Sequence, residues 1–167
     1  MRFSDAAQYW LDEIGTYSER DFLKKPTADS WSVGQVYIHL ILASDHFFVA
    51  NSAACQLGKG ELKRGGKDKY GALIFFLKRF PPMKLNQPKS AAQPRAPESI
   101  EYVRNKLITT IEKIQQTAGS LNGFDTKMKI KSPGFGYLNA EEWLRVNEFH
   151  FKHHRRQKNQ LDKFLKS

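Results

Sequence analysis

The chain has 167 residues, with 27 Lys+Arg against 17 Asp+Glu, a formal net charge of +10 and 40% hydrophobic residues. That length and apolar content suit one domain, residues 1–167, with a packed core, and exclude a wholly disordered chain. Eleven Gly, seven Pro and one Cys exclude collagen-like and disulfide-framework proteins, and a lone thiol suits a reducing, cytoplasmic compartment.

The first fifteen residues carry Asp5, Asp12 and Glu13 and lack the basic-then-apolar order of a signal peptide. Phe3, Ala6, Ala7, Trp10, Leu11, Ile14 and Tyr17 follow a three-four spacing, which predicts a first helix over 4–22 with Ser4 as N-cap and Pro26 beyond its end. A second helix is predicted over 33–57, capped by Ser32 and stopped by Gly58. It is apolar nearly all round, so it reads as the most buried helix. His39, Asp45 and His46 within it would be penalised at a bilayer centre, so no membrane span and no membrane partner are expected. Ala50, Ser52, Ala53 and Ala54 near its end are small enough for a close helix contact, as across a dimer interface.

The stretch 58–99 concentrates the positive charge, with ten bases against three acids, and it is dense in Gly and Pro. It predicts a long basic crossover containing one apolar patch, Ala72 to Leu77, able to form a short helix. The segment lacks aromatics spaced for base stacking, so nucleic acid is not expected as the partner. A third helix is predicted over 97–118, with Pro97 in its first turn and a stripe of Ile100, Val103, Leu107, Ile111 and Ile114. The fourth, over 139–165, opens with Asn139 and Glu142 in a capping-box arrangement. No strand alternation stands out. The expected fold class is all-α, a four-helix bundle with a long crossover between helices two and three.

Five histidines remain to be placed. At about 100° per residue, His150 and His154 fall on the centre of the apolar stripe of helix four, with Trp143, Val146, Asn147, Gln157 and Leu161. Arg145, Glu148, Lys152, Arg155, Arg156 and Lys163 gather at the opposite pole, and His153 sits on the shoulder. Two buried imidazoles are costly unless each finds a partner. Spacing i, i+4 brings two ring nitrogens close enough to share one metal ion, which then needs a third ligand. His39, mid-length on the most buried helix, is the natural donor. His46 lies two turns further along the same face, about 10 Å away and too far to join His39 on one ion.

Trp31-Ser32 followed by His39-Leu40 resembles the W-S-x-x-x-x-x-x-H-L signature of the DinB-like superfamily. Phe135 to Trp143, followed by His150, His153, His154 and Gln157 in the order H-x-x-H-H-x-x-Q, resembles its C-terminal signature. The resemblance implies a four-helix bundle, a homodimer, and a divalent metal, nickel or zinc, on His39, His150 and His154. It also implies a metal-dependent hydrolase or a thiol-dependent transferase that acts on a small molecule with a low-molecular-weight thiol. His153 is then the non-ligand histidine and the candidate proton carrier. Asn147 and Gln157 are candidates to orient the ligands. Phe151 stands where zinc proteases of the H-E-x-x-H type place their general base, so that chemistry is not supported. The alternatives are a metal-binding stress-response protein without turnover and, behind it, a nucleic-acid-binding helical protein.

Overall fold

A computed structural model describes residues 3–81 and 94–167. Lys84 and Lys89 of the basic crossover lie outside the described residues. The fold is mostly helical, with a small three-stranded antiparallel sheet. The sheet corrects the all-α expectation.

The first predicted helix is two. Helix α1 (Phe3–Ile14) ends where Thr16 N and Oγ1 both turn back onto Glu13 O, and Ser4 lies inside it rather than capping it. Helix α2 (Glu19–Leu23) starts afresh on Ser18, whose side chain accepts from Asp21 N at 3.1 Å. Pro26 follows its end.

The second predicted helix is one continuous helical run with a register change inside it. Helix α3 (Val33–Ala43) leads into a π-helical segment (Ser44–Val49) and then helix α4 (Ala50–Gln56). Ser32 caps it as expected: its hydroxyl accepts from Gln35 N at 3.2 Å, and Gln35 Oε1 accepts from Ser32 N at 3.0 Å. Gly58, at φ +70°, stops it. Gly34 is required by packing, because a Cβ there would come within 2.6 Å of Pro97 and 2.9 Å of Phe22. By length and composition alone the run Val33–Gln56 also meets the requirements of a membrane span, yet here it packs on the two long helices that follow, Ile100–Gly119 and Ala140–Leu165. Ser52 and Cys55 face inward, and Ser52 donates to Ala140 O at 2.9 Å, so part of the small-residue stretch is used within the chain.

After strand β1 (Glu61–Leu62), the apolar patch of the crossover forms helix α5 (Lys69–Leu77), capped by Asp68. Helix α6 (Ile100–Gly119) begins at Ser99 rather than Pro97, and the carboxylate of Glu19 accepts from Ile100 N at 3.0 Å. Strands β2 (Met128–Ser132) and β3 (Gly136–Leu138) form a hairpin, in the sheet order β1-β2-β3. Ile130 pairs with Leu138 and Glu61 with Lys129. Gly136 takes φ +78°, and a Cβ there would collide with the backbone at Lys67 and Asp68. Helix α7 (Ala140–Leu165) opens with the predicted capping box, Asn139 Oδ1 accepting from Glu142 N at 2.9 Å.

Two hydrophobic clusters share α7. One gathers α1, α2, α3, α6 and the C-terminal half of α7 around Trp10, Phe22, Tyr37 and Phe151. The other gathers the π segment, α4, α5, the hairpin and the N-terminal half of α7 around Trp143, Phe48, Ile74 and Phe149. Trp10 ties three elements together. Its indole donates to Phe151 O at 3.3 Å, and its own carbonyl accepts from the Tyr37 hydroxyl at 2.9 Å. Tyr37 is two residues before His39 and Phe151 is next to His150, so this buried aromatic contact fixes α3 against α7 at the level of the histidines.

Candidate metal centre

The structure brings His39, His150 and His154 together. His39 leaves α3 two turns after its cap, and His150 and His154 leave α7 one turn apart. Nε2 of His150 lies 3.0 Å from Nε2 of His39 and 3.0 Å from Nε2 of His154. One nitrogen from each ring lies within 4.8 Å of the other two, so the three can hold a single metal ion.

Burial pushes the His39 imidazole down to about 4 and that of His154 down to about 3, and it holds His150 well below its ordinary value. The neighbouring imidazoles add to the effect, since a charge on one opposes a charge on the next. All three are therefore neutral at pH 7, the form that ligates metals.

The protons of this cluster test how well it suits a cation. Nδ1 of His154 lies 2.8 Å from Gln157 Oε1, which only accepts, so Nδ1 carries the proton and Nε2 presents a lone pair. Nδ1 of His150 is buried without a partner among the described residues. A single proton on His150 Nε2 can point at only one of its two neighbours at 3.0 Å, which leaves the other contact without an aligned donor; with the proton on Nδ1 instead, the lone pairs of His150 and His154 Nε2 face each other. A cation among the three nitrogens satisfies them all. The donor set suits a borderline metal such as zinc or nickel.

Around the triad, Gln157 holds His154, and Asn147 is fully buried one turn before His150. Asn147 Oδ1 accepts from Ser44 of the π segment at 3.0 Å. Phe48 of the same segment lies against the His150 ring, with centroids 5.3 Å apart, and Trp31 lies 5.1 Å from the His39 ring. Trp143 is buried against Phe47 and Phe48 and stays in the core. His153 is half-buried, edge-on to Phe80 and beside His154, outside the converging nitrogens; burial lowers its pKa, and the Arg156 charge adds to this.

His46 is exposed, which corrects its expected place on the His39 face. The π segment is the reason. Its wider turn adds about one residue and rotates everything after it, bringing Phe48 inward and His46 outward. Asp45 turns to α6, where it accepts from Thr110 at 3.2 Å and pairs with Lys113 at 3.3 Å. No Asp, Glu or Cys joins the three histidines as a further ligand among the described residues. Cys55 is buried beside Leu138 O, and burial pushes its thiol up to about 11, so it is an inert core residue.

Sequence reasoning missed a second buried polar cluster on α7. Lys158, fully buried one turn past His154, pairs with Glu13 at 2.6 Å and Asp162 at 2.7 Å, and Tyr17 donates to Asp162 at 2.5 Å. The Asp162 spacing, i+4 from Lys158, was the only local signal. The described ends of the crossover flank the triad as well: Phe80 rests on His153, and Pro94 O accepts from Gln35, one turn before His39, at 2.7 Å.

A mostly helical fold that turns three neutral imidazoles onto one point defines a protein equipped to hold a divalent cation. Residues 2–157 match the DinB superfamily, and the chain belongs to it. No curated protein matches the chain.

Proposed function

We propose that this protein is a metal-dependent enzyme acting on a small molecule, either a hydrolase or a transferase that uses a low-molecular-weight thiol, with zinc or nickel on His39, His150 and His154. The observation that carries the reading is the convergence of three neutral imidazole nitrogens with no fourth protein ligand among the described residues, the mark of an open rather than a sealed site. A metal bound there supplies Lewis-acid chemistry, lowering the pKa of a water or thiol ligand. Gln157 fixes the tautomer and tilt of His154 through the Nδ1 proton. Asn147 and Ser44 tie α7 to the π segment beside His150. His153, neutral at pH 7, accepts the proton that a substrate thiol or water gives up.

The lack of a carboxylate beside the triad among the described residues favours the thiol-dependent reaction. A thiol loses its proton far more readily than water, so its thiolate forms with a weaker base; the new bond to sulfur displaces a leaving group that departs as a stable anion or takes back the thiol's proton from His153. The four long helical segments are read as the bundle that frames the site, and a homodimer and a cytoplasmic location complete the proposal. Nucleic-acid binding is disfavoured, because the basic crossover lacks aromatics spaced for base stacking and two of its lysines, Lys63 and Lys67, pair with Glu61 and Glu142.

The test is turnover of small electrophiles and esters by the metal-loaded chain, with and without low-molecular-weight thiols. Thiol-dependent turnover that disappears in His150→Ala and falls in His153→Gln, which keeps its metal, is the expected result. A metal-loaded protein inert to both panels would instead favour the binding protein without turnover.

A further inference from the structure

Helix α5 is apolar on both sides. Gly71 and Ile74 point into the second cluster, with Tyr70 and Phe75 half-buried beside them. The opposite side exposes Lys69, Ala72, Leu73, Phe76 and Leu77, spaced by threes and fours along one face. Phe76 is 83% exposed and Leu73 46%, and the helix has no acidic residue. Exposed bases bracket the face, Lys69 at its start and Lys78 and Arg79 just past its end. None of the three has an ion pair among the described residues. Lys78 also lines a cleft of about 200 Å3 between α5 and α7, with Arg145, Lys152 and one acid, Glu148.

We propose that the outer face of α5 docks on the surface of an anionic phospholipid bilayer, with Leu73, Phe76 and Leu77 entering the headgroup boundary and Lys69, Lys78 and Arg79 meeting lipid phosphates. The pattern is that of an interfacial patch: aromatic and aliphatic side chains on one face and three bases at its margins, which outnumber the one acid there, the cap residue Asp68, whose carboxylate accepts from Gly71 N. The face is one side of a nine-residue helix, about 14 Å long. Pairing it with a second copy buries far less than the roughly 1,200–2,000 Å2 of a stable dimer. A membrane has no such minimum, because each inserted apolar group and each base adds its own increment. The inference is independent of the histidine site and departs from the expectation of no membrane partner.

The experiment is co-sedimentation of the full chain with vesicles of phosphatidylcholine alone and of phosphatidylcholine with phosphatidylglycerol, at low and high salt. Binding to the anionic vesicles only, weakened by salt, is expected. Phe76→Asp, an exposed change that keeps the helical circular dichroism, lowers the affinity more than tenfold. Lys78→Gln and Arg79→Gln each lower it about fivefold. No binding to anionic vesicles overturns the proposal, as does binding that Phe76→Asp leaves intact, which is the result of charge alone. A Phe76→Asp variant that stays off vesicles but turns a dimer into a monomer by sedimentation also overturns it, and reassigns the face to a second copy.

Discussion

Helix α7 buries two polar clusters one turn apart, and they are resolved in opposite ways. At Lys158 every charge has its counter-charge: Glu13, Asp162 and the Tyr17 hydroxyl close around the ammonium group. Burial alone would lower the Lys158 pKa, but the bonds to Asp162 and Glu13 outweigh it and hold the pKa above its ordinary value. At His150 the polar groups face one another instead, with three Nε2 atoms turned to one point and an Nδ1 unpartnered among the described residues. The first arrangement is complete within the protein. The second turns three nitrogens to a point where a cation could be held. Buried polar groups are normally satisfied, so three imidazoles converging on one point with their nitrogens turned to one another mark the place where a ligand fits.

Four substitutions and a change of pH sharpen or break this contrast. The largest effect is expected from His150→Ala, which removes the nitrogen that faces both others and with it metal binding. His150→Phe loses the metal equally, yet the metal-free variant melts no lower than the metal-free parent, since an unsatisfied polar group gives way to an apolar ring. A clear drop in its Tm would show that the triad is a satisfied structural cluster after all. Lys158→Ala behaves in reverse: it costs about 3 kcal/mol by leaving two carboxylates without their cation, while the folded fraction keeps its metal. Urea denaturation read beside metal content separates the two.

Gln157→Leu is expected to weaken metal binding about 10- to 100-fold, by freeing the His154 tautomer, with little change in fold. Competition with a chromogenic chelator measures this, and unchanged affinity would remove Gln157 from the site. The last effect is a pH dependence of the metal-free protein. His39 and His154 are held at about 4 and about 3 in the folded state, below the ordinary histidine value of about 6.5 in the unfolded chain. As pH falls the unfolded state takes up protons first, so stability is complete above about 6.5 and is lost as pH falls towards 4. Thermal melts across that window should show the loss, and His150→Phe should show less of it.

Much of the candidate site was legible in the sequence. The i, i+4 pair on the apolar stripe, the Asn139 capping box and the Ser32 capping box are local patterns, and local patterns survive folding. His39 was found because it lies mid-length on a helix with no polar face. The register change at Ser44–Val49 was not legible, because a π segment is one extra residue within a helix and leaves no mark in composition. It misplaced His46 and hid the approach of Ser44 and Phe48 to α7. The sheet was missed because its strands are two, five and three residues long, too short for alternation to stand out, although Met128, Ile130 and Ser132 do alternate with Lys129 and Lys131. Lys158 was missed because its burial depends on Glu13 and Tyr17, some 140 residues away in the chain.

The most direct test of the central claim is the metal content of the purified full chain beside the His150→Ala/His154→Ala variant, by elemental analysis. About one zinc or nickel per chain, absent from the folded variant, is the result predicted here. A chain that holds no metal even after reconstitution, or a variant that holds as much as the parent, would contradict the account.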